Sequence, residues 1–563
     1  MAEDDITAAD STRAITGSLN PPEATLSEQQ ILPLEVLEEE AKVRTKLRTF
    51  AILIPLYLVL FIAALDQTIV ATSIPTITRD LNSASGYVWI GAAYLLANAS
   101  VAPIWAKCSD IWGRKPALLA AVIIFAIGST VAALSTSMRM LIAARALQGT
   151  AGGALMSLVV ITISDLFSMR TRGLYMGFMG VIWAVAGSAG PLVGGALTQY
   201  VSWRWCFWIN LPICAVSFVL LLISLDVHNP RTKLVEGIKV VDWFGTFSIL
   251  AVTLLVLLGL NFGGTTFPWD SPKVICLLVV GVAMIAFFIF SEKRLAKYPL
   301  VPLSMFNNWS KNAVFVLAFA HSMVAIGTEF YLPLYFQSVK QASPVRSGIL
   351  ILPMMVTAAA VDVLAGVLMH RTGRYREIIW VGTITMTLGA GLYINFGINT
   401  SIAEIVGFEM ITSIGIALLF QTPLIAMQNT VSQADTATAS ATMSVIRNLA
   451  QSLSLVLGGV VFQNSMDSQH SSLAAAGLSE PVLEALYGEH AAANVEIVKS
   501  IQDHTQRLLV QESFAWSLRN MFIMYTCLSA VAIVASAFVK QKHMSTEHTE
   551  TKTGIKELTR RES

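Results

Sequence analysis

Fourteen apolar stretches, each about twenty residues long, alternate with short polar segments between residues 50 and 539. A helix of about 20 apolar residues is long enough to cross the hydrocarbon core of a bilayer. The pattern therefore predicts fourteen membrane-spanning helices. Their limits are 50–73, 87–106, 116–135, 140–164, 174–198, 205–225, 243–262, 273–291, 313–336, 347–369, 378–397, 403–427, 440–462 and 519–539.

The polar segments give the remaining organisation of the chain. The first tail is acidic and rich in Ser, Thr and Pro, a composition typical of disorder, with a candidate short helix at Leu34–Leu47. We expect a tail at 1–48, a six-helix half at 49–225, an inserted helix pair at 226–312, a second six-helix half at 313–540 and a tail at 541–563.

The loop at 463–518 is the longest of the connections between spans. Val495, Val498, Ile501 and Leu508 fall on one helical face within it. This pattern predicts a surface helix lying along the membrane, and a soluble cap over the outer mouth is the alternative.

Basic residues cluster in every second loop. Because Lys and Arg are retained on the cytosolic side, both chain ends are predicted to be cytosolic, and we expect the plasma membrane, with the vacuolar membrane as the alternative. The basic groups are Lys107, Arg114 and Lys115; Arg170 and Arg172; Arg231, Lys233 and Lys239; Lys293, Arg294 and Lys297; and Arg371, Arg374 and Arg376.

Composition agrees with a membrane protein, and no motif in the sequence points to catalysis. The chain is 55% hydrophobic and 13% charged, whereas soluble domains have about a quarter charged residues. The five cysteines show no metal-binding spacing, and the sequence lacks a Gly-Lys-Ser/Thr phosphate loop and a nucleophile–base set. We therefore expect no metal, cofactor or nucleic-acid partner, and no direct use of ATP.

One short motif occurs twice, at Ala106–Lys115 and again at Gly366–Arg374. Each copy follows the second span of a predicted half. Duplicated six-helix halves are typical of transporters.

The first copy resembles the signature cytoplasmic loop of the major facilitator superfamily. Asp110, Gly113 and Arg114 match that loop, and so does Lys115, whereas Ala106 replaces the usual Gly and Ile111 a usual Arg.

Further stretches are similar to motifs of the superfamily's fourteen-span drug:proton antiporters. Leu65–Pro75 resembles their first-helix motif, Arg145–Gly149 the fourth-helix motif of proton-coupled members, and Trp203–Pro212 another fourteen-span signature. Tyr331–Gln337 and Phe420–Pro423 resemble fungal toxin and multidrug efflux pumps. The resemblance implies an all-α major facilitator fold of two six-helix halves plus two inserted helices.

The fifth span carries a Gly-Pro-x-x-Gly-Gly pattern similar to the antiporter motif of this family, formed by Gly190, Pro191, Gly194 and Gly195. Ala186 replaces the first Gly of the motif. Gly190 and Gly194 lie on one face and predict close helix packing. The pattern is consistent with a passive packing face or with a contact that slides during alternating access.

Asp66 and Arg145 are charged residues inside predicted spans, where a charge is costly and usually functional. The resemblance implies that Arg145 takes part in proton coupling, and Asp66 could gain and lose a proton in each cycle. Gln148 is a polar companion one turn after Arg145. The alternatives are a static hydrogen bond from Asp66 to Thr68 or to a neighbouring helix, and a purely structural ion pair.

Asp110, Gly113, Arg114 and Asp165 form a second candidate group, at the cytosolic ends of the spans. We expect a charge lock that stabilises the outward-facing state, and simple positive-inside anchoring is the alternative. Individual ion pairs in water contribute only about 0–1 kcal/mol, so a lock would act as a network.

Glu329 and Asp362 are acidic residues within apolar sequence, and with Tyr331 and Gln148 they form a candidate substrate or proton site. A carboxylate near aromatic rings suits a cationic amphiphile. Glu329 could instead face water near the outer mouth. Asn399 begins an Asn-Thr-Ser glycosylation sequon in a predicted external loop.

The sequence thus predicts a proton-coupled efflux transporter, working as a monomer in the lipid bilayer, that exports a hydrophobic drug or a fungal secondary metabolite or toxin. A fourteen-span transporter of another substrate class, such as iron–siderophore complexes, is the alternative. A transporter-like nutrient receptor is disfavoured, since it would be expected to signal through long cytosolic tails.

Overall fold

The computed structural model describes residues 46–70, 73–81, 86–227, 232–233, 235–236, 242–263, 267–296, 303–487, 491–492, 495 and 497–545. Most of the candidate helix at Leu34–Leu47, and the last part of the C-terminal tail, lie outside these residues.

Fourteen long helices dominate the described chain, and only these are numbered here. They are α1 Lys46–Ile69, α2 Gly86–Trp112, α3 Arg114–Ala133, α4 Met138–Leu166, α5 Met169–Tyr200, α6 Asn210–Ser224, α7 Trp243–Phe262, α8 Pro272–Arg294, α9 Trp309–Ser338, α10 Pro344–Thr372, α11 Arg376–Leu392, α12 Ile402–Leu418, α13 Thr436–Ala475 and α14 His504–Ala537. Short helical segments flank some of them: Ile74–Asp80, Trp205–Trp208, Leu303–Phe306, Tyr393–Asn395, Thr422–Gln428, Gln433–Asp435, Glu480–Ala485 and Ile497–Ser500.

The helices have the length and apolarity that a bilayer requires. Within the described ranges, 13 helices qualify as spans, and α2, bent by 45° between Trp89–Asn98 and Pro103–Trp112, brings the number to as many as 14. The prediction of an all-α polytopic membrane protein is confirmed. The chain is a multi-pass membrane protein.

The pairs of helices that pack together in the first half recur in the second half, with each helix number increased by eight. In the first half, α1 packs against α5 and α6, while α4 packs against α2 and α3. In the second half, α9 packs against α13 and α14, while α12 packs against α10 and α11. The pairs α3–α6 and α11–α14 complete the correspondence. Two equivalent six-helix halves are therefore present, with α7 and α8 inserted between them in sequence.

The inserted pair lies beside the junction of the halves. Helix α7 packs against α2 of the first half and α13 of the second, and α8 packs chiefly against α7. One face of α8 is exposed, and on it Val279 is 61% and Val282 62% accessible. Such a continuous apolar face is suited to lipid contact.

Both copies of the repeated motif turn the chain at a glycine with positive φ. Gly113 has φ 97° between α2 and α3, and Gly373 has φ 67° after α10. Side chains with a Cβ rarely adopt this conformation, which explains why glycine stands at both positions.

The structure departs from the prediction of a surface helix around 495–508. The helical segment Ile497–Ser500 has only four residues, and Asp503 caps a new helix, α14, which starts at His504. Val498 is 0% and Ile501 7% exposed, both within the main hydrophobic core. The apolar pattern therefore reflects burial against protein, and α13 and α14 themselves extend into the predicted loop.

Candidate functional site

Asp66 lies near the end of α1 and is fully buried, with 0% exposure. Arg145 of α4 donates from Nη1 to Asp66 Oδ2 at 2.5 Å. Gln148 Nε2 donates to Oδ1 at 3.0 Å, and Asn210 Nδ2 of α6 donates to the same oxygen at 2.8 Å. The structure thus brings together Asp66, Arg145 and Gln148 as a charge-assisted network in the first half. Thr68 is not a partner of Asp66, because its Oγ1 donates to Ala186 O and to carbonyls of its own helix.

A second layer of polar contacts holds this network in place. Ser129 Oγ of α3 accepts from Gln148 at 2.9 Å and from Asn210 at 3.3 Å. Arg145 Nε donates to Ile90 O at 3.1 Å, and its guanidinium lies 4.5 Å from the centre of the Tyr94 ring. Four neighbouring helices therefore converge around the carboxylate of α1: α4 and α6 contact it directly, and α2 and α3 hold the contacting side chains.

Small residues of α4 allow this convergence. A Cβ on Gly149 would collide with the Tyr94 backbone, and one on Gly153 would lie 2.6 Å from Asn98 O. Helices α2 and α4 can approach this closely only because these positions lack side chains.

The charged residues proposed to form a lock lie together at the opposite end of the first half. Arg114 Nη2 lies 2.7 Å from Asp110 Oδ1, and Arg114 Nε donates to Asp165 Oδ2 at 2.7 Å. Arg114 also donates to Ser109 Oγ. The three charged residues are only 2–4% exposed, so the expectation of weak water-exposed pairs does not apply. Removing one partner would leave uncompensated buried charge.

We call this end of the bundle inner, since the basic loops predict it to be cytosolic. Hydrogen bonds between the two halves are found here. Arg172 Nη1 of α5 donates to Gln428 Oε1 at 2.9 Å, and Gln428 Nε2 donates to Ser164 Oγ at 2.9 Å. Arg170 donates to the carbonyls of His370 and Arg371, each at 2.6 Å. The two halves are bonded together at the inner end.

The glycine motif of α5 makes contact within its own half. A Cβ on Gly190 would collide with Thr68 of α1. Gly194 is buried and its carbonyl accepts from Cys206 Sγ at 3.8 Å, whereas a Cβ on Gly195 would meet nothing within 4 Å. The side chain of Pro191, also within α5, lies outside the described set.

Another set of glycines on α5 faces the second half. A Cβ on Gly177 would lie 2.7 Å from Asp362 O of α10, and one on Gly180 would collide with the Asp362 carboxylate. Gly366 of α10 is similarly close to the α5 backbone at Gly173. In this conformation the interface between halves on α5 therefore uses Gly173, Gly177 and Gly180, and not the antiporter motif.

The candidate substrate residues are dispersed. Asp362 is 3% exposed at the α5–α10 interface, and its Oδ2 has no hydrogen-bond partner among the described atoms. Tyr331 is 6% exposed and donates to Leu455 O at 2.7 Å, whereas Glu329 on the same helix is exposed. Gln148 belongs to the Asp66 network. The structure shows no contact that joins these four into one site.

Asn399 is exposed in the turn between Tyr393–Asn395 and α12. The sequon's Ser401 caps α12 in a reciprocal arrangement with Glu404. Within the described ranges, no group of three or more His, Cys, Asp or Glu side chains could hold a metal ion.

Sequence reasoning assigned no role to Asn210, Ser129 or Tyr94, although they complete the Asp66 network. Asn210 stands in the Trp203–Pro212 signature, and a polar amide at the start of an apolar helix was the available signal. Gln428 and Arg172 gave no comparable signal, because their contact joins residues 256 positions apart.

Comparisons with known proteins agree with this architecture. The model of the Major Facilitator Superfamily matches residues 56–455. The efflux pump dotC of Dothistroma septosporum is 42% identical over 504 residues, covering 90% of this chain and 86% of the relative. The MFS-type transporter ppz2 of Metarhizium majus is 41% identical over 549 residues, covering 96% and 94%.

A solved structure shows the same fold at low sequence identity. The proton:xylose symporter XylE aligns with a TM-score of 0.56 and 14% identity, covering 91% of this chain and 98% of its own. With the family model matching most of the chain and relatives similar along nearly its whole length, this protein belongs to the major facilitator superfamily and is a transporter, not an enzyme.

Proposed function

We propose that this protein is a proton-coupled antiporter that exports a hydrophobic small molecule, a drug or a fungal secondary metabolite. The observation that carries the proposal is Asp66, a fully buried carboxylate held by Arg145, Gln148 and Asn210. Intramembrane acids of this kind are typical of proton relays in transporters.

The contacts of Asp66 suggest how a proton would act there. In the arrangement described, Arg145, Gln148 and Asn210 donate hydrogen bonds to the two carboxyl oxygens of Asp66. A proton bound to Asp66 would cancel the charge that holds Arg145 and would weaken its 2.5 Å hydrogen bond. Arg145 would then be held by its remaining acceptors, Gln148 and the Ile90 carbonyl. Protonation would thereby alter the packing of α1 against α4 and α6.

The inner-end contacts indicate the state from which such a change starts. The halves are bonded through Arg170, Arg172 and Gln428. Towards the outer end, a Cβ on Gly187 of α5 or on Gly348 of α10 would meet no atom within 4 Å. This arrangement supports a conformation closed at the inner end, in which Asp66 is buried near the end of α1 that lies away from those contacts.

The energy available fits export of a hydrophobic solute. One proton entering down about 100 mV supplies roughly 2.3 kcal/mol, and one pH unit adds about 1.4 kcal/mol. Together these sustain a concentration gradient of several hundredfold for one proton per cycle. Relatives carrying the name efflux pump, such as dotC, support the outward direction.

The test uses the full chain reconstituted into vesicles with an imposed pH gradient. We expect accumulation of fluorescent hydrophobic dyes, from a panel of cationic and neutral compounds, without ATP. Collapse of the gradient with a protonophore should abolish it. Undiminished accumulation after that collapse, in the absence of ATP, would disprove proton coupling.

A further inference from the structure

Glu409 of α12 is a buried acid to which the mechanism above gives no role. Its side chain is 0% exposed. Neither carboxylate oxygen has a hydrogen-bond partner among the described residues. Asp66, in contrast, accepts hydrogen bonds from three donors.

Tyr393 brings an aromatic cluster close to Glu409. Tyr393, in the short helical segment after α11, is an ionisable side chain close to Glu409, and its buried hydroxyl neighbours Thr412 of α12. The Tyr393 ring stacks on Phe396 at 4.8 Å and meets Phe522 of α14 edge-on at 5.3 Å. His321 of α9 is engaged elsewhere, at Ile416 O, two turns further along α12.

The repeat relates Glu409 to Arg145. Helix α4 begins after the cap Ser137, and Arg145 is the eighth residue after it. Helix α12 begins after the cap Ser401, and Glu409 is the eighth residue after that serine.

A packing contact supports the same alignment. A Cβ on Gly128 of α3 would meet Gln148, three residues after Arg145. A Cβ on Gly389 of α11 would meet Thr412, three residues after Glu409. Helices α3–α4 and α11–α12 are an equivalent pair in the two halves. The charged position of the Asp66 network therefore has an acidic counterpart in the second half.

We infer that Glu409 is a proton-binding site of the second half and carries its proton in the conformation described here. An ionised carboxylate without a donor is strongly disfavoured in an apolar interior, whereas a protonated one is tolerated. Asp66 and Glu409 thus differ in one conformation, because three donors bond to the first carboxyl group and no described group bonds to the second. This inference extends the proposed proton coupling. Only its consequence for transport rests on that proposal, and the proton on Glu409 does not.

A mechanical link would let Glu409 respond to the transport cycle. Ser413 of α12, one turn from Glu409, donates to Met354 O of α10 at 2.7 Å. Helix α10 also forms the interface with α5 of the first half. Movement of α10 during the switch between states would therefore change the packing around α12 and allow the proton to leave.

The experiment is infrared difference spectroscopy of the purified full chain in lipid nanodiscs across a pH change. We expect the carbonyl-stretch band of a protonated carboxylic acid, and its loss in Glu409→Gln. Glu404→Gln is the matched control, because Glu404 lies on the same helix but is exposed at its start. Persistence of the full band in Glu409→Gln would overturn the inference.

Folding and transport provide independent readouts. Glu409→Gln and Glu409→Met should retain the thermal stability of the wild type, since each replaces a neutral group by a neutral group. Failure of both variants to fold would contradict the inference.

If the wild type shows no proton-driven transport but the band depends on Glu409, the proposed function fails and the proton site stands. If transport is proton-driven, Glu409→Gln should move fewer protons per substrate, and an unchanged ratio would exclude Glu409 from coupling.

Discussion

Gly180 of α5 and Asp362 of α10 meet at the boundary between the two halves, so closely that a methyl group on Gly180 would collide with the Asp362 side chain. The contact lies in a continuous run with Gly173 and Gly177, where the backbones of α5 and α10 approach each other. Any switch that separates the halves at the inner end must break this contact.

We predict that Gly180→Ala lowers transport by disfavouring the inner-closed state. Overpacking typically costs about 1–3 kcal/mol, and each 1.4 kcal/mol shifts the ratio of two states about tenfold. Two measurements would show the shift. One is turnover, and the other is the accessibility of engineered cysteines at the inner end to a thiol reagent. Gly187→Ala is the control, since its Cβ would meet nothing within 4 Å. Equal behaviour of the two variants would argue against a role for this contact.

Gly190→Ala should behave differently, because its collision is with Thr68 of α1 inside the same half. We expect a loss of thermal stability of about 1–3 kcal/mol, with activity lost in proportion. Melting temperature and turnover of the purified variant decide this. A stable Gly190→Ala protein with strongly reduced turnover would instead favour a sliding role for the antiporter motif.

Asp66→Asn should abolish uphill transport while the protein stays folded in the membrane. The amide keeps the shape of the carboxyl group and cannot carry a proton across a cycle. Vesicle uptake driven by a pH gradient is the measurement. Asp226→Asn is a suitable control, because Asp226 makes an exposed ion pair with Arg48, a type that contributes about 0–1 kcal/mol. Wild-type pumping against a gradient by Asp66→Asn would remove Asp66 as the carrier.

Arg114→Gln should destabilise the protein by about 3–5 kcal/mol, because Asp110 and Asp165 would remain buried without their cation. Arg374 occupies the equivalent place in the second copy of the motif, but its side chain is 64% exposed and lies 3.8 Å from Glu377. Arg374→Gln should therefore change stability by less than about 1 kcal/mol. Thermal unfolding of both variants tests this asymmetry. Equal losses of stability in the two variants would refute it.

The two copies of the motif show where sequence reasoning was sufficient. The repeated Gly-Arg pattern located the end of the second helix in each half, and the positive φ of Gly113 and Gly373 accounts for the glycines. It did not predict that only the first arginine would be buried in an ion network. The end of α4 supplies the buried acidic partner Asp165 to Arg114, whereas the acid near Arg374 is the exposed Glu377, three residues further along the chain.

The apolar residues around 495–508 show the opposite case. Val498 and Ile501 have the spacing of an amphipathic helix, yet they are buried in the core beside a four-residue helix. Periodicity records which positions avoid water, and both lipid and protein satisfy that requirement. Only the packing of the extended ends of α13 and α14 decides between them.

The sequence by itself determined the spans, the two halves, the inserted pair and the family, because each follows from local apolar length or from short motifs read along one helix. The tertiary structure alone decided which side chains share a site. It joined Asp66 to Asn210, placed Asp362 against Gly180, separated Glu329 and Tyr331 from Gln148, and left Glu409 without a donor. These relationships depend on contacts between helices that are distant in the chain, and the free energy of burying a charge depends on those contacts and not on the residue type.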